Sequence, residues 1–162
     1  MSDLNLALIG NCSYAALIDQ QARVVWACLP RFDADPVFSA LLNGDITGES
    51  RGLYEIEVKD FSHGSQEYLP NTAILRTILH DGTGGAVEIT DFAPRFEQFG
   101  RIYRPVMLVR HIRPLAGNPV IRVRLRPGHS YGAGTPETTH GSNHIRYVAP
   151  ELTLRLTTDL PV

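Results

Sequence analysis

Apolar and polar residues alternate one by one along three stretches of the chain. In YEIEVKDF (54–61), apolar residues take every second position, and glutamate and lysine fill the positions between them. The stretches VIRVRLRP (120–127) and LTLRLTTD (152–159) alternate in the same way, with arginine or threonine in between. Successive side chains of a β-strand point to opposite faces, so this period of two predicts strands with one buried and one solvated face.

Turn residues separate the strands and predict two hairpins. An opening strand in LNLALIG (4–10) precedes a hairpin over 15–29 that turns at 19–22. A second hairpin spans AILRTILHDGTGGAVEITDFAP (73–94), with DGTGG (81–85) as its tip, because aspartate and glycine favour tight turns. Many short strands separated by such turns predict an all-β chain, folded as an antiparallel two-sheet β-sandwich.

One short helix is predicted near 36–42. In DADPVFSALLNGD, Asp35 can cap the first turn and Pro36 suits the first helical position. Asn43 and Gly44 then supply a stop signal. A helix of about two turns is too short to be stable by its own propensity, so we expect tertiary contacts to hold it.

The composition is that of an ordinary globular domain and narrows the range of partners. The 162 residues are 43% hydrophobic and 20% charged, with a formal net charge of −2. This balance gives no basis for nucleic-acid binding, which needs a clustered basic face. No apolar run approaches the ~20 residues of a membrane span, and the first ten residues do not read as a secretion signal. We therefore expect a cytoplasmic protein with neither nucleic-acid nor membrane partners.

Arg31, Phe32 and Asp33 form the candidate site, at the point where an apolar strand breaks at Pro30. A guanidinium and a carboxylate can hydrogen-bond sugar hydroxyls beside an aromatic ring. A structural alternative is a local Arg–Asp pair that pins a corner, with Phe32 in the core. Trp26, in the middle of the preceding strand, is predicted to be a core residue.

No catalytic set is recognisable from the residues themselves. Two carboxylates can hydrolyse a glycosidic bond, but no spacing selects a pair from the candidates Asp33, Asp35, Glu88 and Asp91. His140 and His144 are four positions apart, yet the Gly-Ser-Asn between them disfavours the helix that would bring them together. We therefore assign no catalytic residue, no metal site and no cofactor.

Four stretches of the chain carry a resemblance to a known family. They are GNCSYAALIDQQARVVWACLPRFDADPVFSALL, YLPNTAILRT, GAVEITDFAPR and RPVMLVRHIRPLAGNPVIRVRLRP. In this order they resemble the N-terminal domain of bacterial and archaeal glucoamylase/trehalase-like proteins of glycoside hydrolase family 15. The resemblance extends over 6–162, and its most specific part is the Trp-x-Cys-Leu-Pro-Arg-Phe-Asp segment at 26–33.

The resemblance implies a supersandwich of two sheets, followed in the family by a helical linker and an (α/α)6 barrel. In that barrel one glutamate acts as general acid and another as general base, in the inverting hydrolysis of α-glucosidic bonds. The barrel has no counterpart in this chain, so no catalytic residue is carried over and the chain by itself is expected to be inactive. We expect 1–162 to be the N-terminal β-sandwich domain of a longer polypeptide.

The expected partners are the C-terminal barrel of that polypeptide and, through it, an α-glucoside substrate. Arg31 and Asp33 are then expected to contact the substrate or the barrel, with Phe32 packed beneath them. The alternative is a stand-alone carbohydrate-binding or interaction sandwich. Sugar binding by such a module needs a row of exposed aromatic residues, and Tyr103, Tyr131 and Tyr147 do not form a stripe in the sequence.

Overall fold

The structure, a computed structural model, describes residues 4–43, 50–160 and 162. These residues form short 3-10 turns at Ala40–Leu42 and Ser130–Gly132, and fifteen β-strands. The strands are β1 (Ala7–Gly10), β2 (Ala15–Ile18), β3 (Val24–Cys28), β4 (Pro36–Phe38), β5 (Leu53–Val58), β6 (Phe61–Tyr68), β7 (Leu75–Asp81), β8 (Ala86–Phe92), β9 (Phe96–Gln98), β10 (Arg101–Tyr103), β11 (Val109–Ala116), β12 (Ile121–Arg126), β13 (Glu137–His140), β14 (His144–Val148) and β15 (Thr153–Thr157). All their pairings are antiparallel, which confirms the predicted fold class.

The larger sheet has six strands, in the order β1-β2-β3-β5-β12 with β4 also paired to β3. Strands β2 and β3 form the first predicted hairpin, which turns at 19–22 as expected. Across β5 and β12, Glu55 lies opposite Arg124 and Glu57 lies opposite Arg122. The charged positions of the two alternating sequences therefore form a ladder of opposite charges, which stabilises this pairing.

The second sheet has four strands, in the order β11-β8-β7-β6. Strands β7 and β8 form the second predicted hairpin. At its tip the Asp81 carboxylate accepts the backbone N–H groups of Thr83 and Gly85, at 2.8 and 2.7 Å. These hydrogen bonds hold the pKa of Asp81 below its usual value. A Cβ at Gly85 would lie 2.2 Å from this carboxylate, so the tip requires glycine there.

The two sheets pack face to face, and their facing apolar side chains form the core. Ile56 and Val58 of the larger sheet contact a cluster from the second sheet that includes Leu79, Val87 and Ile89. A second cluster extends this core beneath β1 to β4. The two-sheet sandwich is thereby confirmed. Two smaller sheets are attached to it, one formed by β9 and β10 and the other by β13, β14 and β15.

The predicted helix near 36–42 is wrong. Residues Pro36–Phe38 form β4, and a single 3-10 turn follows at Ala40–Leu42. Phe38 pairs with Ala27 of β3, and all three residues of β4 are buried. A helix would turn one of these side chains towards solvent, so strand pairing and burial prevail over the capping signals. Gly44 of the predicted stop signal lies outside the described residues.

An ion pair inside the sandwich connects the two sheets. Arg110 of β11 lies opposite Asp91 of β8, and their side chains are 1% and 0% exposed. The Arg110 Nε and Nη2 groups donate to the two Asp91 carboxylate oxygens, at 2.7 and 3.0 Å. Its guanidinium also donates to the carbonyl of Tyr54 on β5, at 3.2 Å, and to the carbonyl of Ala22 in the β2–β3 turn.

The Arg110 side chain is held in its charged form. Burial by itself would lower its pKa, but the Asp91 carboxylate, together with Tyr54 and Asp19, offsets burial and raises the pKa. The guanidinium carbon also lies 4.6 Å from the centre of the Tyr54 ring, within the range of a cation–π interaction. A buried charge is tolerated when it is paired and hydrogen-bonded, and this guanidinium meets both conditions.

Replacing Asp91 by asparagine should strongly destabilise the 162-residue chain. The substitution keeps the shape of the side chain but leaves the buried Arg110 charge without its counter-ion, a loss of about 3–5 kcal/mol. The control is Glu67→Gln, which removes an exposed pair with Arg76 in the same sheet and should cost about 0–1 kcal/mol. Urea unfolding at neutral pH measures both. Equal, small losses would show that the buried pair does not hold the sheets together.

The hydrogen bonds to the Asp81 carboxylate should make the free energy of unfolding depend on pH. Because the folded-state pKa of Asp81 is lowered, its contribution is present above the unfolded-state pKa and is lost as pH falls through the folded value. The difference in unfolding midpoint between the wild type and Asp81→Asn should therefore shrink as pH is lowered from about 6 to about 3. A difference that stays constant over this range would contradict the role of the carboxylate charge.

Candidate functional site

The candidate residues lie in the exposed loop between β3 and β4. The Arg31 Nε donates to Asp33 Oδ1 at 2.9 Å, and its Nη2 donates to the other carboxylate oxygen. The two side chains are 73% and 68% exposed. Hydrogen bonding to Arg31 lowers the pKa of Asp33, and the same bond raises the pKa of Arg31. The loop therefore presents a bidentate, charged ion pair to solvent.

Phe32 is not packed beneath this pair, so that part of the prediction is wrong. Its side chain is 60% exposed. The chain turns outward after Pro30, and fully buried positions resume only at Pro36, so the core beneath the loop is filled by residues of β3 and β4. Trp26, predicted to be in the core, is only half-buried.

A cleft of about 310 Å³ lies beside the loop. One wall comes from the β3–β4 loop and includes Asp33 and Asp35. The opposite wall comes from segments about a hundred residues later in the chain and includes His129, Ser130 and Glu151. The cleft thus gathers carboxylates, a hydroxyl and an imidazole, which are groups that hydrogen-bond sugar hydroxyls. The sequence did not predict the wall with His129, Ser130 and Glu151, because no local pattern indicates which distant segment packs against the loop.

A second, larger groove of about 630 Å³ adjoins the cleft and shares Leu29, Pro30, Leu152 and Leu154 with it. Its other lining residues are mainly apolar, and its two charged residues are the buried Arg110 and Arg155 of β15. The β3–β4 loop therefore lies beside both the cleft and an apolar groove that β11 and β15 help to line.

Two of the other candidate carboxylates, Asp91 and Glu88, are engaged in ion pairs. Asp91 holds Arg110, and Glu88 accepts a hydrogen bond from Arg113 at 2.9 Å. Among the described residues, no group of three or more His, Cys, Asp or Glu side chains could hold a metal ion. Within the same part of the chain, no helix is long and apolar enough to cross a membrane.

The three tyrosines considered for sugar binding lie on different elements. Tyr147 is buried and its hydroxyl donates to the Leu125 carbonyl at 3.1 Å, so its ring cannot serve as a surface platform. Tyr103 stacks on Phe96 in the β9–β10 hairpin, with ring centres 5.4 Å apart. The exposed Tyr131 lies in the second 3-10 turn. They form no shared aromatic face.

Comparison with known proteins places the chain in a family. Residues 4–157 match the family model described as trehalase-like, N-terminal. Trehalase 1 of Sulfolobus acidocaldarius is 31% identical over 163 aligned residues, covering 96% of this chain and 25% of the relative. Trehalase 2 of the same organism is 27% identical over 91% of this chain and 22% of the relative. The trehalase of Thermoplasma volcanium is 23% identical over 95% and 24%. No solved structure is significantly similar.

The chain spans about a quarter of the length of these relatives. The family match, in contrast, covers nearly the whole chain, from β1 to β15. It confirms the resemblance to a trehalase-like N-terminal domain that the four sequence stretches indicate. The chain belongs to the trehalase-like N-terminal domain family.

Proposed function

We propose that this chain is the non-catalytic N-terminal domain of a cytoplasmic glycoside hydrolase that acts on α-glucosidic bonds. The observation that carries the proposal is the family match over 4–157, in a chain that spans about a quarter of relatives named trehalase. The chemistry then belongs to a C-terminal catalytic part of the longer polypeptide, which the domain supports and borders. Trehalose is the first substrate to test, because it is the substrate that the relatives' names state.

The state of the carboxylates supports a non-catalytic role. A general acid must hold a proton at the working pH and be free to give it up. Asp33 and Asp91 are instead each bound to an arginine through both oxygens. The hydrogen bonds from Arg31 lower the pKa of Asp33. Glu88 is likewise paired, with Arg113. These residues are suited to holding structure or contacting a neighbour rather than to proton transfer.

The β3–β4 loop is the part of the domain that we propose to border the active site. Arg31 and Asp33 are exposed, carry fixed charges and stand beside the exposed ring of Phe32. A guanidinium, a carboxylate and an aromatic ring in one loop can bind sugar hydroxyls and the apolar face of a pyranose. The same groups can equally contact the catalytic part. In either case the loop acts at the cleft that Asp33 helps to line.

Replacing Asp33 by alanine in the longer polypeptide should lower kcat/KM for trehalose. Loss of hydrogen bonds to a charged group predicts a fall of roughly tenfold to hundredfold. The melting temperature should stay the same, because an exposed ion pair contributes little to stability. The control is Glu67→Ala, which breaks an exposed arginine pair on the second sheet. If kcat/KM of Asp33→Ala is unchanged, Asp33 does not contact the substrate or the catalytic part. A lower melting temperature with unchanged kcat/KM would favour the alternative, in which the Arg31–Asp33 pair only stabilises the turn of the loop.

The stand-alone sugar-binding alternative has one observation in its favour, the cleft between Asp33 and Glu151, because its volume of about 310 Å³ lies within the range of small-molecule sites. Under our proposal the isolated chain has only one side of the site. Calorimetric titration of the 162-residue chain with trehalose, maltose and soluble starch should therefore release no heat at millimolar sugar. Saturable heat with any of them would favour the stand-alone module.

A further inference from the structure

The β9–β10 hairpin, residues 96–103, forms an arm whose residues are all exposed. We call it the aromatic arm. Its tip residue Phe99 is 87% exposed, the highest value for a large apolar side chain among the described residues. Ile102 is also exposed, and the rings of Phe96 and Tyr103 stack against each other below the tip. An apolar surface concentrated on eight residues is typical of an interaction site.

The tip places a bulky residue where the backbone disfavours it. Phe99 and Gly100 have φ values of 52° and 67°, as a type I′ turn requires. Such turns favour Asn-Gly, because a Cβ in the left-handed region crowds the following carbonyl. Asp60 and Asn71 occupy left-handed positions with residues that tolerate this conformation, whereas Phe99 and Tyr131 are exposed aromatic residues that do not. Neither backbone nor solvent favours phenylalanine at position 99, so a surface that covers its ring would account for it.

The base of the arm is held rigidly. The buried Asn11 amide donates to the carbonyls of Pro94 and Pro105, at 2.9 and 2.8 Å, and so clamps both chains of the arm where they leave the core. The Asn11 Oδ1 accepts the Ser13 N–H at 3.1 Å, which fixes the orientation of the amide. Just beyond the arm, the Tyr14 hydroxyl donates to the Met107 carbonyl at 2.6 Å. An arm fixed in this way loses little conformational entropy on binding.

Charge around the arm indicates the chemistry of its partner. Arg95, Arg101 and Arg104 are exposed on and beside the two strands, and Glu97 is the one acidic residue within 94–105. The arm therefore combines an apolar tip with a basic surround. Its complement is an apolar pocket that accepts an aromatic ring and has an acidic rim.

We propose that the aromatic arm inserts into the C-terminal catalytic part of the longer polypeptide, with Phe99 in an apolar pocket and the arginines against an acidic rim. This inference rests on the proposed function for the existence of that part. Relatives carry about three quarters of their length outside the region matched here, which provides a covering partner. A partner on the same polypeptide has a high effective concentration, so eight residues suffice. A stable dimer of separate chains would need a far larger buried area.

The test uses the longer polypeptide and the trypsin sites that the arm itself provides. Docking should protect the bond after Arg101 from cleavage. Phe99→Asn should be cut about tenfold faster there, because the apolar anchor is lost. Asparagine favours the type I′ turn, so faster cleavage cannot be attributed to a weaker hairpin. The control is Tyr131→Asn, which replaces another exposed aromatic residue, at φ 56°, and should leave the cleavage rate at Arg101 unchanged.

Three results would overturn the inference. The first is equal cleavage at Arg101 in the wild type and in Phe99→Asn. The second is cleavage at Arg101 that is as fast in Tyr131→Asn as in Phe99→Asn. The third is protection of Arg101 that disappears when the protein is diluted. The last would identify a second copy as the occupant, because docking within one polypeptide does not depend on concentration. Trehalose hydrolysis by the same preparation is measured separately. An inactive protein with a protected arm would reject the proposed hydrolase activity but keep the docking.

Discussion

The buried pair of Arg110 and Asp91 fixes how the two sheets meet. Apolar contacts between sheets are not directional, and several small shifts would bury similar areas. The guanidinium is satisfied only where its N–H groups reach both the Asp91 oxygens and the carbonyls of Tyr54 and Ala22. Because a charge left unpaired in the core is far more costly than a lost apolar contact, this set of hydrogen bonds selects one arrangement of the sandwich.

The positions of the groove and of the β3–β4 loop depend on how the two sheets are arranged. Arg110 lines the apolar groove, and Leu29 and Pro30 border both that groove and the cleft. The loop that carries Arg31 and Asp33 begins at these residues. A displacement of β11 relative to β5 would therefore change the shape of the groove and the direction in which the ion pair faces. The hydrogen bonds of Arg110 in the core therefore also determine the geometry of the candidate site.

Two exposed phenylalanine rings lie at positions that neither the core nor the local backbone favours. Phe32 exposes its ring beside a charged pair, and Phe99 exposes its ring at a backbone position that disfavours it. At the tip of the β7–β8 hairpin, in contrast, Asp81 and Gly85 are residues that the turn geometry requires. Departures from local consistency are expected where a residue serves something other than the folding of its own domain. Both features fit a domain built to be covered by a neighbouring part of a longer protein.

Strand and hairpin positions follow from the sequence itself. Alternation in 54–61 and 120–127 determines which side chains are buried, because strand geometry turns every second residue to the same face. The turn at 81–85 is determined in the same way, because aspartate and glycine meet its local geometric needs. The family is likewise readable from the sequence, since its signature lies in short contiguous stretches.

Only the tertiary structure decided the rest. Capping signals favoured a helix at 36–42, but pairing with β3 and burial of all three β4 residues stabilised a strand. The far wall of the cleft, with His129 and Glu151, comes from residues about a hundred positions away. Likewise, no alternation of apolar and polar residues marks the aromatic arm in the sequence. That the arm leaves the core depends on Asn11, which clamps its base from more than eighty residues away. Local patterns determine elements because strand and turn geometry is local, whereas sites and surfaces depend on contacts between distant segments.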